Sequence, residues 1–555
     1  MSTETLLGAE RLVKALCLAG VERVFSLSGN HIMPVYDALI DSGIQLIHVR
    51  HEAAAVHMAD AWGRLTGRPG VALLTGGPGH ANGIGALYTA LAADSPLVML
   101  SGQAPIKEWG RGAFQEMAQA DLAAPVTKAS WSASSSESLG WELARAFRLA
   151  SSGRPGPVHL SLPQDVLEAR VTFEPTDEPK ADAFIAQPQL WEESLGPLLW
   201  DLLQRAKRPL IVTGPAFASH RGEALRFALF QAIGIPIVAM ESPRGIQDPA
   251  LGDWGSVLAK ADCVVLLGKR ADYTLRFGQV PAVSADCRFA VIDPEEAVMQ
   301  QSIQTLGASR VVLSAVADPA CVLQRLILQC EKVSGALSAT RASWSSEVDE
   351  AINFRPPHWS TQGSSSVGRL HPLQVVRTVQ SLMQSLEHPL LIADGGEFSQ
   401  WAQSVIKAPV RLINGPAGSI GSAIPFALAA KAAHPKATVI ALLGDGTMGF
   451  HLAEFDTAVR HHLPFVAVVG NDACWNAEYQ IQKRNYGPDR LFGCELSPSA
   501  AYEKAVVALG GFGQRVTKIN DLEMSLKSAI ESGLPACVNV DIERHSAPSV
   551  SRAIK

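Results

Sequence analysis

The sequence predicts an α/β protein built from three doubly wound parallel-sheet domains in series, and two observations carry that prediction. Short apolar runs of strand length alternate with stretches of helical period along nearly the whole chain, the pattern of strands covered on both faces by crossover helices. At 555 residues, 47% hydrophobic and 18% charged, the chain has room for about three or four domains, each with its own core.

Taken in order, the first third carries strand-like runs at 23–29, 45–52, 70–77, 96–103, 125–131 and 156–162. A polar, proline-containing connection at 174–189 breaks the pattern, so a first domain is expected over 1–173. The alternation resumes at 208–214, 236–240, 263–268 and 288–293, a second domain over 190–335. From Ser334 to Gly368 the composition shifts to Ser, Trp, Arg and Pro without clear period and reads as a linker. The last third, over 366–555, resumes with a helix at 371–382, strands at 389–396, 440–444 and 464–470, and closing elements at 501–511 and 536–542. The first and third domains look alike in pattern, without a residue-level repeat.

Composition excludes several classes. The net charge is −6, no basic cluster points to nucleic acid, and no apolar run approaches the roughly 20 residues that cross a bilayer. Residues Met1 to Glu10 carry acids and no apolar signal core, so a cytoplasmic location is expected. Eight cysteines are scattered without a C-x-x-C pair, which argues against a disulfide framework or a zinc site.

The most informative stretch is Ile440–Tyr479. An apolar run ends in Asp445-Gly446-Thr447, a helical segment follows, and a second apolar run ends in Asn471-Asp472-Ala473-Cys474-Trp475-Asn476. A crossover joining two parallel strands puts both strand ends on one carboxyl edge, where open α/β sheets bind ligands. Asp445 and Asp472 are therefore expected to meet, in a setting that suits a hard divalent cation holding a diphosphate. An isolated Asp-Gly is ordinarily a plain turn; the paired second half is what lifts it above that. The turn Gly76-Gly77-Pro78-Gly79-His80-Ala81-Asn82-Gly83 fits a dinucleotide fingerprint badly, lacking the third glycine and the distal acid, and reads better as a backbone turn beside a ligand. Glu52 opens an Ala-rich helix at the carboxyl edge of a strand. Such a residue ordinarily stabilises the helix dipole, but if buried there it could share a proton.

Several motifs together carry a resemblance: R-H-E-A-A-A at 50–55, S-G-N-H-I-M-P-V-Y-D-A-L at 28–39, A-F-Q-E at 113–116 with P-V-T-K at 125–128, G-S-I-G at 418–421, and the G-D-G to N-D stretch. In this order they resemble the thiamine-diphosphate enzymes of the acetohydroxyacid (acetolactate) synthase, pyruvate oxidase and benzaldehyde lyase group. The resemblance implies that the first domain binds the aminopyrimidine and the third the diphosphate. It also implies sites between subunits, hence a homodimer or homotetramer. Mg²⁺ would be held by Asp445, Asp472 and the carbonyl of Cys474, with Asn471 as the fallback ligand if the register slips by one. The group usually has asparagine where Asp472 stands.

Ile420 matches the aliphatic wedge that bends the cofactor, and the carbonyl of Gly418 matches the acceptor for its exocyclic amine. Glu52 matches the glutamate that shares a proton with the pyrimidine ring. His31 and Gln115 match polar residues facing the reacting carbonyl, with Asn30, Asn414 and Ser399 as further substrate candidates. Gly396, Glu397 and Gly444 should line the diphosphate or thiazolium. So should Gly446, Thr447, Trp475 and Asn476. The implied activity is a lyase or carboligase acting through an enamine on 2-oxo acids such as pyruvate or on 2-hydroxy ketones and aldehydes.

Departures keep alternatives open. Gly396-Glu397-Phe398-Ser399 stands where acetohydroxyacid synthases have a Gly-Gln-His-Gln-like segment, which weakens the case for acetolactate formation. Gly268-Lys269-Arg270-Ala271-Asp272-Tyr273 with Arg276-Phe277-Gly278 is similar to the middle domain of 2-hydroxyacyl-CoA lyases and oxalyl-CoA decarboxylase. A CoA-dependent enzyme is the runner-up, with FAD or an ADP/CoA moiety in the central domain left open. A non-catalytic cofactor-binding relative is the third reading.

Overall fold

The computed structural model describes residues 4–174, 178–331 and 339–552. Three parallel sheets follow one another along the chain. The first holds six strands, Arg23–Ser26, Gln45–His48, Gly70–Leu74, Leu97–Gln103, Ala129–Ser132 and Pro157–Pro163. The third also holds six, Pro389–Ala393, Val410–Ile413, Thr438–Gly444, Val466–Asn471, Phe512–Val516 and Ala536–Asp541. Numbered within each unit in chain order, both are laid out 2-1-3-4-6-5. The middle sheet holds five strands in the order 2-1-3-4-5. The strands Gly70–Leu74, Leu97–Gln103 and Pro157–Pro163 are buried along their whole length, as strands covered on both faces must be.

The helix Glu52–Thr66 shows how the sequence builds the site. His51 caps it, its Nδ1 accepting from the Ala53 amide at 3.1 Å, so Glu52 stands in the first turn. Gly67 ends it at φ 70, a left-handed conformation that glycine adopts without strain. Its run of small residues lets it lie against Ala423–Ala433 of the third unit, and Ala54, Ala55, Met58, Phe426, Ala427 and Ala430 belong to one apolar core that spans both units.

The linker expectation for Ser334–Gly368 needs correction. Residues 332–338 lie outside the described residues, but Ala339–Asn353 is a helix. Trp344, Val348 and Ala351 are buried from it in the core of the middle unit, an apolar stripe on one helix face that the surrounding Ser, Glu and Asp hid. Other elements lie beyond the runs read from sequence. Val311–Val316 completes the middle sheet, and Val410–Ile413 and Phe512–Val516 are the edge strands of the third. A small antiparallel pair joins Glu4–Leu7 to Arg170–Phe173. Edge strands are only half covered, so their apolar signal is weak. Among the described residues no helix is long and apolar enough to cross a membrane.

Candidate active site

At the carboxyl edge of the third sheet the two aspartates are neighbours. Asp445 follows the strand Thr438–Gly444 and accepts the Gly446 amide at 3.0 Å, with the Ala473 and Cys474 amides also directed to it. Asp472 is buried and its Oδ1 has no partner. Burial pushes the Asp445 carboxyl up to about 6; burial and then the Asp445 charge push Asp472 up to about 8, against Arg544 and Arg369. Two such carboxylates, one with an unsatisfied oxygen, fit a divalent cation, which relieves their repulsion and supplies the missing partner. Among the described residues no group of three His, Cys, Asp or Glu side chains could hold a metal, so this pair leaves further positions to backbone carbonyls and ligand oxygens.

Asn471, the alternative in this loop, is turned into the sheet: its amide donates to Asn539 at 3.2 Å and its oxygen accepts the Ala473 amide at 3.2 Å. Arg544 anchors the loop through the carbonyls of Asp472 and Ala473, at 3.0 and 3.1 Å. A Cβ on Gly446 would lie 2.5 Å from the Trp475 ring, so only glycine fits there. Thr447 donates to the Gly444 carbonyl at 2.9 Å, and Asn476 donates to the His545 carbonyl at 2.9 Å.

Asp394 organises the next part of the edge. Fully buried, it accepts the amides of Gly395 at 2.7 Å, Gly421 at 3.0 Å and Ala423 at 3.1 Å, and burial raises its carboxyl to about 6. It thereby ties the 394–396 turn to the 418–423 loop. Ile420 packs where a Cβ on Gly395 would lie, 2.6 Å away, and Asn414 donates to the Ser419 carbonyl at 2.8 Å. Gly418, at φ 69, faces Pro243 of the middle unit. Gly396, at φ 86, caps the helix Glu397–Val405. Glu397 accepts the Ala547 amide and lies 3.4 Å from Arg244. Ser399 is fully buried, donating to the Leu442 carbonyl at 3.0 Å. The sequence reading passed over Asp394; its signal was an aspartate closing an apolar strand before Gly-Gly.

The carboxyl edge of the first sheet gathers a different set. Glu52 is buried and accepts from Asn82 at 3.0 Å, and a Cβ on Gly79 would lie 3.3 Å from its Oε1. His31 is 1% exposed, roofed by Phe114, which is 68% exposed and stacked on it with centroids 5.8 Å apart. Burial pushes the imidazole below its ordinary range, and Nδ1 has no partner. Gln115 takes φ 56 and leans on Gly77. Thr75, whose hydroxyl has no partner, fills the space between Gly29 and Gly79. Asn30 stands exposed at the rim. Asn82 and Phe114 were missed as site residues, although both sit inside the motifs quoted above.

The first and third units are linked near these edges. Glu454 accepts the Arg50 amide at 3.0 Å, and the His51 and His451 rings lie 6.0 Å apart. Among the described residues, Glu52 hydrogen-bonds within the first unit, not to the third-sheet edge.

A concavity of about 360 Å³ opens where the three units meet, at the carboxyl end of the middle sheet. It lies at the reversal of strand order, the usual crevice of open α/β sheets. Arg154 reaches it from the first unit, buried between Asp94 at 2.8 Å and Asp293 at 2.6 Å, and Arg221 and Arg411 also line it.

Comparison with known proteins bears on these edges. Residues 7–122 match the thiamine pyrophosphate enzyme N-terminal TPP binding domain and 394–540 the C-terminal TPP binding domain. A probable acetolactate synthase of Mycobacterium bovis is 31% identical over 97% of both chains. The 2-hydroxyacyl-CoA lyase 2 of Homo sapiens is 30% identical over 97% of this chain and 90% of its own. A probable acetolactate synthase large subunit of Methanocaldococcus jannaschii is 29% identical over 97% of this chain and 92% of its own. With full-length likeness on this scale and both binding-domain models falling on the first and third sheets, the chain belongs to the thiamine-diphosphate-dependent enzymes, in the group that includes acetolactate synthases and 2-hydroxyacyl-CoA lyases.

Proposed function

We propose that this enzyme is a Mg²⁺-dependent carbon–carbon lyase and carboligase acting on 2-oxo acids or on 2-hydroxy ketones and aldehydes. In this reading it works as a homodimer or homotetramer, the first-sheet edge of one subunit facing the third-sheet edge of another. The observation that carries the reading is the buried Asp445–Asp472 pair with its unpartnered oxygen, a cation and diphosphate grip at the edge of a sheet.

Bound thiamine diphosphate would supply a nucleophilic ring carbon and an electron sink for the carbanion left when a carbon–carbon bond breaks. The chain does the rest. Asp445, Asp472 and the Cys474 carbonyl hold the cation, while Gly446 and Thr447 leave room for the diphosphate. Asp394 holds the loop that presents Ile420 and the Gly418 carbonyl. Glu52, oriented by Asn82, holds a proton at the pyrimidine. His31 and Gln115 orient the substrate carbonyl, under Phe114.

One observation favours a second reading. The concavity at the switch point of the middle sheet, where open α/β sheets take nucleotides, would suit the ADP part of a CoA substrate or of FAD, although Arg154 and Arg411 there are already paired with Asp94, Asp293 and Glu241; one group of relatives is named for 2-hydroxyacyl-CoA. The purified enzyme with thiamine diphosphate and Mg²⁺ should be screened by mass spectrometry against pyruvate, benzaldehyde, benzoin and a 2-hydroxyacyl-CoA. Products from the first three support the leading reading. Turnover of the CoA thioester alone replaces it with the second, and no turnover at all refutes both in favour of a non-catalytic relative.

A further inference from the structure

Gln119 is fully buried, yet its amide bonds three separate parts of the first sheet. Oε1 accepts the Gly77 amide at 2.8 Å. Nε2 donates to the Gly102 carbonyl at 3.0 Å and to Ser161 Oγ at 3.0 Å. Two of these contacts lie directly behind candidate site residues. A Cβ on Gly77 would lie 2.8 Å from Gln115 Cβ, and one on Gly102 would lie 2.5 Å from His31 Cβ. On Gly76, between them, a Cβ would lie 3.2 Å from His31 Nδ1 and 3.3 Å from Gln119 Oε1. The two backbones that support His31 and Gln115 are thus the two that Gln119 ties together.

We propose that Gln119 is a positioning residue: by clamping the Gly77 turn to the strand Leu97–Gln103 it sets the separation of His31 and Gln115, and so the pose of the substrate carbonyl. The inference rests on the lyase/carboligase reading above. Gln115 needs such support, because at φ 56 it holds a backbone conformation that non-glycine residues resist.

The groups behind Gln119 favour holding over proton conduction. Ser161 Oγ lies 3.3 Å from His159 Nε2, which lies 3.2 Å from Ser101 Oγ, itself 2.9 Å from His80 Nδ1. His159 Nδ1 meets Ser130 Oγ, on a half-buried strand, at 2.8 Å. Burial lowers His80 to about 4 and His159 well below its ordinary range, so both rings are neutral near pH 7. The network ends at an amide, which has no titratable proton, and its donors and acceptor fix which way that amide points.

Two variants test this, Gln119→Leu and Gln119→Glu, the second keeping the length and an acceptor for the Gly77 amide. In the unloaded protein, amide hydrogen exchange at Gly77 should speed up in Gln119→Leu and less so in Gln119→Glu. With cofactor and Mg²⁺, kcat/KM for the carbonyl substrate should fall about a hundredfold in Gln119→Leu, while C2 proton exchange of bound thiamine diphosphate, which depends on Glu52, keeps its parental rate. Unchanged turnover in both variants overturns the proposal. So does loss of C2 exchange in step with turnover, which would make Gln119 a general support of the first unit. If the unaltered protein itself shows no C2 exchange, the underlying lyase/carboligase reading has failed, a result distinguishable by the sample in which it appears.

Discussion

The first and third sheets share the strand order 2-1-3-4-6-5, but their carboxyl edges carry opposite chemistry. The third gathers two carboxylates, a third buried aspartate and glycine turns at positive φ. The first gathers one carboxylate, Glu52, among neutral partners: Asn82, His31, Gln115 and Gln119. Topology brings an edge together in both; the loop residues decide its chemistry, and in the function proposed above one edge receives a cation and diphosphate while the other handles a proton and a carbonyl. A cofactor with an anionic diphosphate at one end and a proton-exchanging aminopyrimidine at the other needs one of each.

Substitutions at the third edge should cost the most. Asp445→Ala should weaken Mg²⁺-dependent thiamine diphosphate binding by about a hundredfold or more, beyond the loss of an outer-shell partner, as isothermal titration would read. Asp472→Asn should instead preserve binding, because an amide oxygen serves the cation as well. It should also raise the melting temperature of the metal-free protein, because a carboxyl ionised in the unfolded chain no longer has to take up a proton to be buried beside Asp445. Loss of binding in Asp472→Asn would mean that the register of this loop has been misread.

A smaller effect sharpens how the two units hold together. His57 and His451 face each other across their junction, centroids 5.9 Å apart, each with a buried Nδ1 that lacks a partner. Burial lowers both to about 3. With the ordinary value at 6.5, the unfolded chain binds more protons between the two, so stability is lost as pH falls below 6.5 and the loss continues to about 3. At pH 5 this amounts to about 2 kcal/mol per ring, and His451→Phe should flatten the acid limb of a denaturation–pH curve. A curve of unchanged slope would show that these rings do not set the acid limb.

The smallest effect separates packing from chemistry at the third edge. Ser399→Ala should cost about 1 kcal/mol in chemical denaturation and leave kcat/KM unchanged, since the hydroxyl is spent on Leu442 inside the fold. A large kinetic effect would return Ser399 to the substrate pocket.

How much of this was legible in the sequence depended on burial. Fully covered strands such as Leu97–Gln103 announce themselves as apolar runs, whereas the edge strands Val410–Ile413 and Phe512–Val516 are short with a half-buried arginine or glycine and polar residues inside them, and the helix Ala339–Asn353 mixes polar residues into a thin apolar stripe. At the site, the juxtaposition of Asp445 and Asp472 follows from strand order alone, and the motif likeness led to Glu52, His31 and Gln115. Asp394, Asn82 and Gln119 escaped because each acts through hydrogen bonds to backbone or side chain across long sequence separations, which no local pattern records. Nor does the sequence record that Ser399 points inward.

In the proposed mechanism Glu52, at the first-sheet edge, acts on a cofactor held by Asp445 and Asp472 at the third. The most direct test is the rate of C2 proton exchange of bound thiamine diphosphate, by quenched-flow deuterium labelling and NMR, in the unaltered enzyme and in Glu52→Gln. The predicted result is exchange slowed by about a thousandfold, with Mg²⁺ and cofactor still bound; equal rates in the two proteins would contradict it.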